Sequence, residues 1–378
     1  MALIKLNNRS SEDTAIHGRR NLVINGAMQV AQRGTSYTQS NPNAGNYHTV
    51  DRYSYRRSGT WSGVTAVELT QESSGGPVGF KNFLRYAPTG SDATTPDNAC
   101  MLVDYKLEGQ DISQLEWGTS NAKTITISFY VRSSVTGTFC LNIRNTSPTR
   151  QYVKEYTINS ANTWERKELT FPGDTSGTWA EDNGTGLGLM WFLSGHTDSP
   201  SESGRLVTGN QWNTTATTNT YTSNQSDALT TTSGNTFDIT GLQLEVGDIA
   251  TPFEHRSYAE ELALCQRYFH KIGNTGTDYF RYCVVHCDNA TNSRGIYNLP
   301  VPMRTLPTLN TSGAFQIYSA GSLTDTLTIS LSPSYTSVTG EYVSIPFFST
   351  VSGGQTAGNS GALLAKNQST HITLDSEL

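Results

Sequence analysis

The residues whose types and spacing could do chemistry fall into a few groups. Cys283-Val-Val-His-Cys287, with His270 nearby, offers the thiols and imidazoles that zinc takes. Zinc needs four convergent ligands, usually from two separated pairs, and no second pair is present. On a strand, Cys283 and Cys287 share a face with Val285 while His286 points away, so the spacing predicts buried thiols rather than ligands. Gly184-Thr-Gly-Leu-Gly188 has the composition of a phosphate loop. Such a loop follows a strand and opens a helix, whereas this run opens an apolar strand over residues 187–193 and reads as a turn. No metal and no cofactor is expected.

Carboxylate pairs exist, Glu181 with Asp182 and Asp97 with Asp104. Glycoside hydrolysis needs two carboxylates facing each other across a sugar, and neighbouring loop acids are usually only solvated. No Gly-x-Ser-x-Gly elbow or Walker loop is present. No catalytic residue is therefore assigned, and the chain is expected not to be an enzyme, with a polysaccharide depolymerase as an alternative. The tryptophans are more informative. Trp61, Trp179 and Trp212 each sit among Gly, Ser, Thr and Asn and are the glycan-binding candidates. An exposed indole stacks on a sugar ring while neighbouring polar groups hydrogen-bond its hydroxyls. The competing reading folds each indole down to plug one end of a sandwich. Trp164 and Trp191 read as core.

The elements that must position these groups are mostly strands. Only 15% of the residues are charged, against roughly 25% in an average globular protein. Thr, Ser, Asn and 34 glycines fill the difference, which favours strands and turns. Ile125, Ile127, Phe129 and Val131 alternate with polar neighbours, and Phe139, Leu141 and Ile143 repeat the pattern. Leu187, Leu189, Trp191 and Leu193 alternate with Gly188, Met190 and Phe192, a strand covered on both faces. Phe237 and Ile239 are out of phase with Leu242, Leu244 and Val246, so a bulge is expected at Gly241. Residues 207–236 are threonine-rich and predict polar strands and long loops.

The period then changes. Ser257 and Glu260 form a capping box, and Tyr258, Leu262, Cys265 and Phe269 make one helical stripe. Beyond it, Leu327, Ile329 and Leu331 return to period two, and Pro300, Pro302 and Pro307 mark an edge strand or extended connector. The fold class is mainly β, with an N-terminal arm (1–20), a jelly-roll β-sandwich (21–255), a connecting α-helix (256–270) and a smaller C-terminal β-domain (271–378). In the arm, Lys5, Arg9, Arg19 and Arg20 are the candidates for attachment to a partner protein.

The formal net charge is −6 and no strongly basic stretch occurs, so nucleic acid is not an expected partner. Five scattered cysteines argue against a disulfide framework and for synthesis in a reducing cytoplasm. No apolar run resembles a signal peptide, and none is long enough for membrane insertion.

Several blocks resemble a family of virion structural proteins of tailed bacteriophages, notably phages of marine and photosynthetic bacteria. They are Asn21-Leu-Val-Ile-Asn-Gly-Ala-Met-Gln-Val-Ala-Gln-Arg-Gly34, Asp51-Arg52-Tyr53, Phe237-Asp-Ile-Thr-Gly-Leu-Gln-Leu-Glu-Val-Gly247, Ala250-Thr-Pro-Phe-Glu-His-Arg-Ser-Tyr258 and Glu261-Leu-Ala-Leu-Cys-Gln-Arg-Tyr-Phe269. The Met303-Arg304 step and Asp375-Ser-Glu-Leu378 also fit. The resemblance implies a jelly roll similar to carbohydrate-binding modules, then a helix, then a small β-domain. It implies a tail-fibre or adhesin subunit, commonly a trimer, carried on the virion and attached to other virion proteins. Such a subunit would meet a host-surface glycan or receptor. A capsid decoration or head-fibre protein is the alternative. The family supplies no active site to carry over.

Overall fold

The computed structural model describes residues 20–40, 45–146, 149–197, 205–214, 220–273, 280–331 and 342–378. Lys5, Arg9 and Arg19 lie outside the described residues. The chain forms two compact units, one of residues up to Glu261 together with Leu378, the other Leu262–Glu377.

The first unit holds two antiparallel sheets. The six-stranded sheet runs in the order β1 (Ser36–Gln39), β4 (Ala66–Glu72), β5 (Phe83–Thr89), β13 (Phe237–Val246), β7 (Ile125–Ser133) and β10 (Glu165–Phe171). The seven-stranded sheet runs β12 (Trp212–Asn213), β9 (Gln151–Ile158), β8 (Gly137–Arg144), β11 (Thr185–Gly195), β6 (Cys100–Glu108), β3 (Tyr53–Ser58) and β2 (Gly45–Tyr47). The alternating residues of β7, β8 and β11 form the shared core as the period predicts, with Phe129, Leu141 and Trp191 fully buried. A short helix, α1 (Gly109–Ile112), and a 3-10 turn (Ser113–Leu115) were not legible in the pattern.

Strand β11 is covered on both faces, as expected. Its outward residues Met190 and Phe192 join Cys100, Leu102, Cys140, Val153 and Tyr221 in a second apolar cluster. The cover comes from the threonine-rich stretch, which folds back over the seven-stranded sheet and buries Tyr221 completely. Asn142 Nδ2 donates to Thr220 O and Oγ1 at 2.9 and 2.7 Å, and Cys140 N donates to Gln225 Oε1 at 2.8 Å. Gly195 is needed beneath it: a Cβ there would lie 2.8 Å from the Tyr221 ring.

Residues 21–34 form no strand. They are buried irregular backbone, whose polar groups must find partners. Two asparagines supply them. Asn21 Nδ2 donates to Leu242 O, and its Oδ1 accepts from Val23 N and Leu244 N. Asn25 Nδ2 donates to Val30 O and Asp51 O, and its Oδ1 accepts from Val30 N. Glu254 accepts from Asn21 N at 2.7 Å, and Glu261 from Asn25 N at 2.7 Å. Arg256 closes the clasp on Val23 O and Asn21 O and pairs with Glu254 and Glu261. The 21–34, 51–53, 237–247, 250–258 and 261–269 blocks therefore meet at one place. Arg20 belongs to this clasp rather than to a free arm: it donates to Pro252 O at 2.6 Å and pairs with Glu245 at 3.3 Å.

The bulge is where the phase change puts it. The pairing of β13 with β7 shifts between Thr240 and Gln243, and Gly241 has φ +63°. Helix α2 (Tyr258–Gln266) carries the capping box, with Ser257 Oγ accepting from Glu260 N and Glu260 Oε2 from Ser257 N, each at 3.3 Å. The helix ends earlier than the stripe suggests. Phe269 already opens strand β14 (Phe269–Gly273), and Tyr258 is 55% exposed rather than core.

The second unit contains a closed barrel in the order β15 (Arg281–Cys287), β16 (Asn292–Met303), β20 (Tyr342–Val351), β19 (Ser322–Leu331), β18 (Phe315–Ser319) and β21 (Ser360–Ala365). A three-stranded sheet sets β14 beside β22 (His371–Asp375) and β17 (Thr308–Ser312). Pro300 and Pro302 lie inside β16, where the pairing with β20 skips from Asn298 to Met303, so neither proline has to donate to the ladder. Val285 and Cys287 face the core and His286 faces out. His270 approaches Tyr297 Oη at 3.1 Å. None of the five cysteines is in a disulfide, and no group of potential metal ligands forms among the described residues.

Candidate functional site

The three sequence candidates among the tryptophans do not converge. Trp61 lies half-buried against the main core, with its Nε1 donating to Ser58 O at 2.9 Å. Trp179 and Trp212 meet Trp117, which sequence reasoning did not single out, in a cluster of edge-to-face indoles. Trp179 is 8% exposed, and its Nε1 donates to Asp174 Oδ2 at 3.2 Å. Asp174 is held in turn by Arg150, whose guanidinium lies over the Trp212 ring. Trp179 thus plugs the end of the sandwich, and its ring faces are taken by other indoles instead of being open to a sugar. Trp164, expected in the core, lies on the outer face of the six-stranded sheet, edge-on to Phe83 and under Arg132.

The acids do not pair across a cleft either. Glu181 and Asp182 are exposed, and Asp182 Oδ1 accepts Gly184 N at 2.8 Å to hold the turn before β11. Asp97 lies 3.2 Å from His196, and Asp104 lies 3.3 Å from Arg56.

A more open cleft lies elsewhere, in the first unit beside the clasp. It is a cleft of about 410 Å³ between residues 27–29, the turn at 79–82 that leads into β5, and the 253–258 segment that leads into α2. Its wall is aromatic. Phe80 has the rings of Phe253 and His255 at 4.9 and 5.2 Å, and Tyr130 at 5.3 Å. His255 is exposed, and Tyr258 presents a largely free ring. The polar members are Gln29, Lys81 and Asn82. Asn82 Oδ1 is buried and accepts no hydrogen bond, although the Asn82 backbone carbonyl accepts from Thr240 Oγ1. A buried acceptor without a donor is unusual and calls for one. Apolar rings beside convergent polar atoms suit a ligand with one C–H face and one hydroxyl edge.

The rings of this cleft lie in a block that reads as structural, since strand, bulge and helix account for most of its residues. One signal was available: Phe253, His255 and Tyr258 place three rings within six residues, more than the helix after them can bury.

No protein-family model and no curated protein matches this sequence. Solved structures of similar shape include bacteriophage CBA120 tailspike protein 4, enzymatically active domain, at 9% identity and TM-score 0.31, matched over 60% of this chain and 21% of that one. The chain thus spans about a fifth of that tailspike's length. A family 11 carbohydrate-binding module of Clostridium thermocellum, solved with a mixed-linked tetrasaccharide, matches at 15% identity and TM-score 0.27, over 54% of this chain and 91% of that one. TmCBM61, solved with β-1,4-galactotriose, matches at 9% identity and TM-score 0.29, over 60% of this chain and 99% of that one.

Proposed function

We propose that this chain is a non-enzymatic adhesin subunit of a phage particle that holds a neutral host-surface glycan in the cleft lined by Phe80, Asn82, His255 and Tyr258. The observation that carries the glycan part is the exposed Tyr258 ring set beside the unsatisfied Asn82 Oδ1. One sugar ring would stack on Tyr258 and give a hydroxyl hydrogen to Asn82. The virion part, with the tail as its place, is supported by the resemblance of the 237–269 block.

Self-association is part of the same proposal. Apolar residues run in register from strand to strand around the barrel, all of them exposed or half-buried except Ala362. Pro346 opposes Ile296, Val284 opposes Ala362, and Ala362 and Leu323 flank Tyr318. Ile296 and Val284 are the next positions beyond the Gly295–Val285 pair. Val284 is 72% exposed, and Ile296 is also exposed. A contiguous apolar surface of this kind favours a symmetric oligomer, and a trimer is proposed.

Calorimetric titration of the full chain with neutral oligosaccharides tests the cleft. Tyr258→Ala is expected to weaken binding about tenfold, about 1.4 kcal/mol, with the melting temperature unchanged. Absence of binding to any neutral glycan, or binding indifferent to Tyr258→Ala, would overturn it. A stable monomer by mass measurement would overturn the trimer.

A further inference from the structure

A second cleft opens on the outer face of the seven-stranded sheet, away from Tyr221, and shares no residue with the first. It has a volume of about 120 Å³, against roughly 10–15 Å³ for one water. Gly188 forms its floor. On β11, Gly188 lies directly between Lys106 of β6 and Arg144 of β8. This is the last glycine of the 184–188 run. Gly186, two residues earlier, has no room for a side chain, because a Cβ would sit 2.6 Å from Gly109 Cα. At Gly188 the nearest atom to a Cβ is Arg144 Cγ at 3.6 Å, an ordinary contact, and φ is not positive. Neither sterics nor backbone conformation requires glycine there. What its missing side chain does is leave the space between Lys106 and Arg144 open.

The walls of this space are charged and incompletely paired. Asp104 is 1% exposed; one carboxylate oxygen lies 3.3 Å from Arg56, while Oδ1 has no hydrogen-bond partner. The Arg144 guanidinium, only partly exposed, makes no hydrogen bond or salt bridge among the described residues. Lys106 Nζ donates to Leu378 O at 2.6 Å. Three cations, Arg56, Lys106 and Arg144, therefore surround one carboxylate. A partly buried guanidinium that feels Asp104 only at a distance, with no acceptor on its N–H groups, is costly and calls for an anion. An orphaned carboxylate oxygen calls for a hydroxyl donor. Both demands are met by one ligand that carries an anionic group and a neighbouring hydroxyl. Asn145 is saturated by Thr149, Arg150 and Thr178 and adds no free group.

We infer that the cleft floored by Gly188 is a binding site for an acidic sugar of the uronic-acid class, its carboxylate on Arg144 and a hydroxyl on Asp104 Oδ1. Ligand-observed NMR and calorimetry on the full chain test this with glucuronate and galacturonate against glucose, galactose and inorganic sulfate. At least one uronate is expected to bind at least tenfold more tightly than its neutral sugar and than sulfate. Equal binding of the neutral sugar removes the role of Arg144, equal binding of sulfate removes the role of Asp104, and failure of both uronates to bind removes the site. Arg144→Gln and Gly188→Val, the latter filling the floor, are expected to lower uronate binding at least tenfold. Uronate binding unchanged in a folded Gly188→Val protein also overturns the inference. If a variant fails to fold, the selectivity of the unsubstituted protein still decides. Tyr258→Ala is expected to leave uronate binding intact, which keeps this result separate from the fate of the aromatic cleft.

Discussion

A Cβ on Gly241 would stand 2.8 Å from Phe80 Cζ and 2.9 Å from the Tyr130 ring. The bulge in β13 is thus the seat on which Phe80 rests, and Phe80 in turn backs the aromatic cleft. Gly241→Ala combines a positive-φ penalty of about 1 kcal/mol with a clash against two rings, for a loss of about 2–4 kcal/mol. Thermal unfolding should show a melting temperature lower by about 5 °C or more. Binding of a neutral glycan should weaken in the same variant, because Phe80 is pushed toward the cleft.

Trp179→Ala separates packing from recognition. The indole is buried against Trp117 and Trp212, so its removal should cost about 3–5 kcal/mol. Denaturant titration measures this. Glycan affinity of the folded fraction should match that of the parent protein, and a selective loss of affinity at unchanged stability would return Trp179 to the binding surface.

Arg256→Met leaves Glu254 and Glu261 without their shared cation. Glu261 has a nearly buried side chain, and breaking a buried pair from one side costs about 3–5 kcal/mol. Amide hydrogen exchange at Asn21, Val23 and Asn25 should accelerate first, since those residues are tied to the clasp. Exchange that rises uniformly across the first unit would argue against a local clasp.

His270 predicts a pH dependence. Burial pushes its pKa down from the ordinary 6.5 to about 4, so the folded state holds the neutral ring. The unfolded chain binds the proton first. Stability of the second unit is therefore whole above about pH 6.5 and falls by at most about 1.4 kcal/mol per pH unit toward pH 4, then levels off. Urea midpoints at pH 7, 6, 5 and 4 should show this fall, and His270→Gln should flatten it. An identical slope in the variant would assign the effect to other groups.

Much of the fold was legible because its signals are local. The alternation in β7, β8 and β11, the phase change at Gly241 and the capping box at Ser257 each depend on a few adjacent residues and a fixed period. The clasp was visible only as a set of similar-looking blocks. Its chemistry joins Asn21 to Leu242 and Arg256 across more than two hundred residues, and no period encodes that. Tyr258 was misplaced for a related reason: helical spacing puts it on the stripe of Cys265, but a stripe does not say where the helix meets its support. The three rings of Phe253, His255 and Tyr258 hint at one cleft, but neither cleft could be placed from the sequence, because each is defined by what is missing, a hydrogen-bond donor for Asn82 in one and a side chain at Gly188 in the other.

The barrel of the second unit closes on itself through six strands, so each of them has a paired neighbour on both sides. Proteases bind their substrates as extended strands, and an incoming amyloid-like segment needs the same template. A closed ladder offers little opening to either, so strand addition to the barrel must wait for one of its seams to part. Resistance of the barrel to strand addition would then be governed by a rate of opening, not by its equilibrium stability.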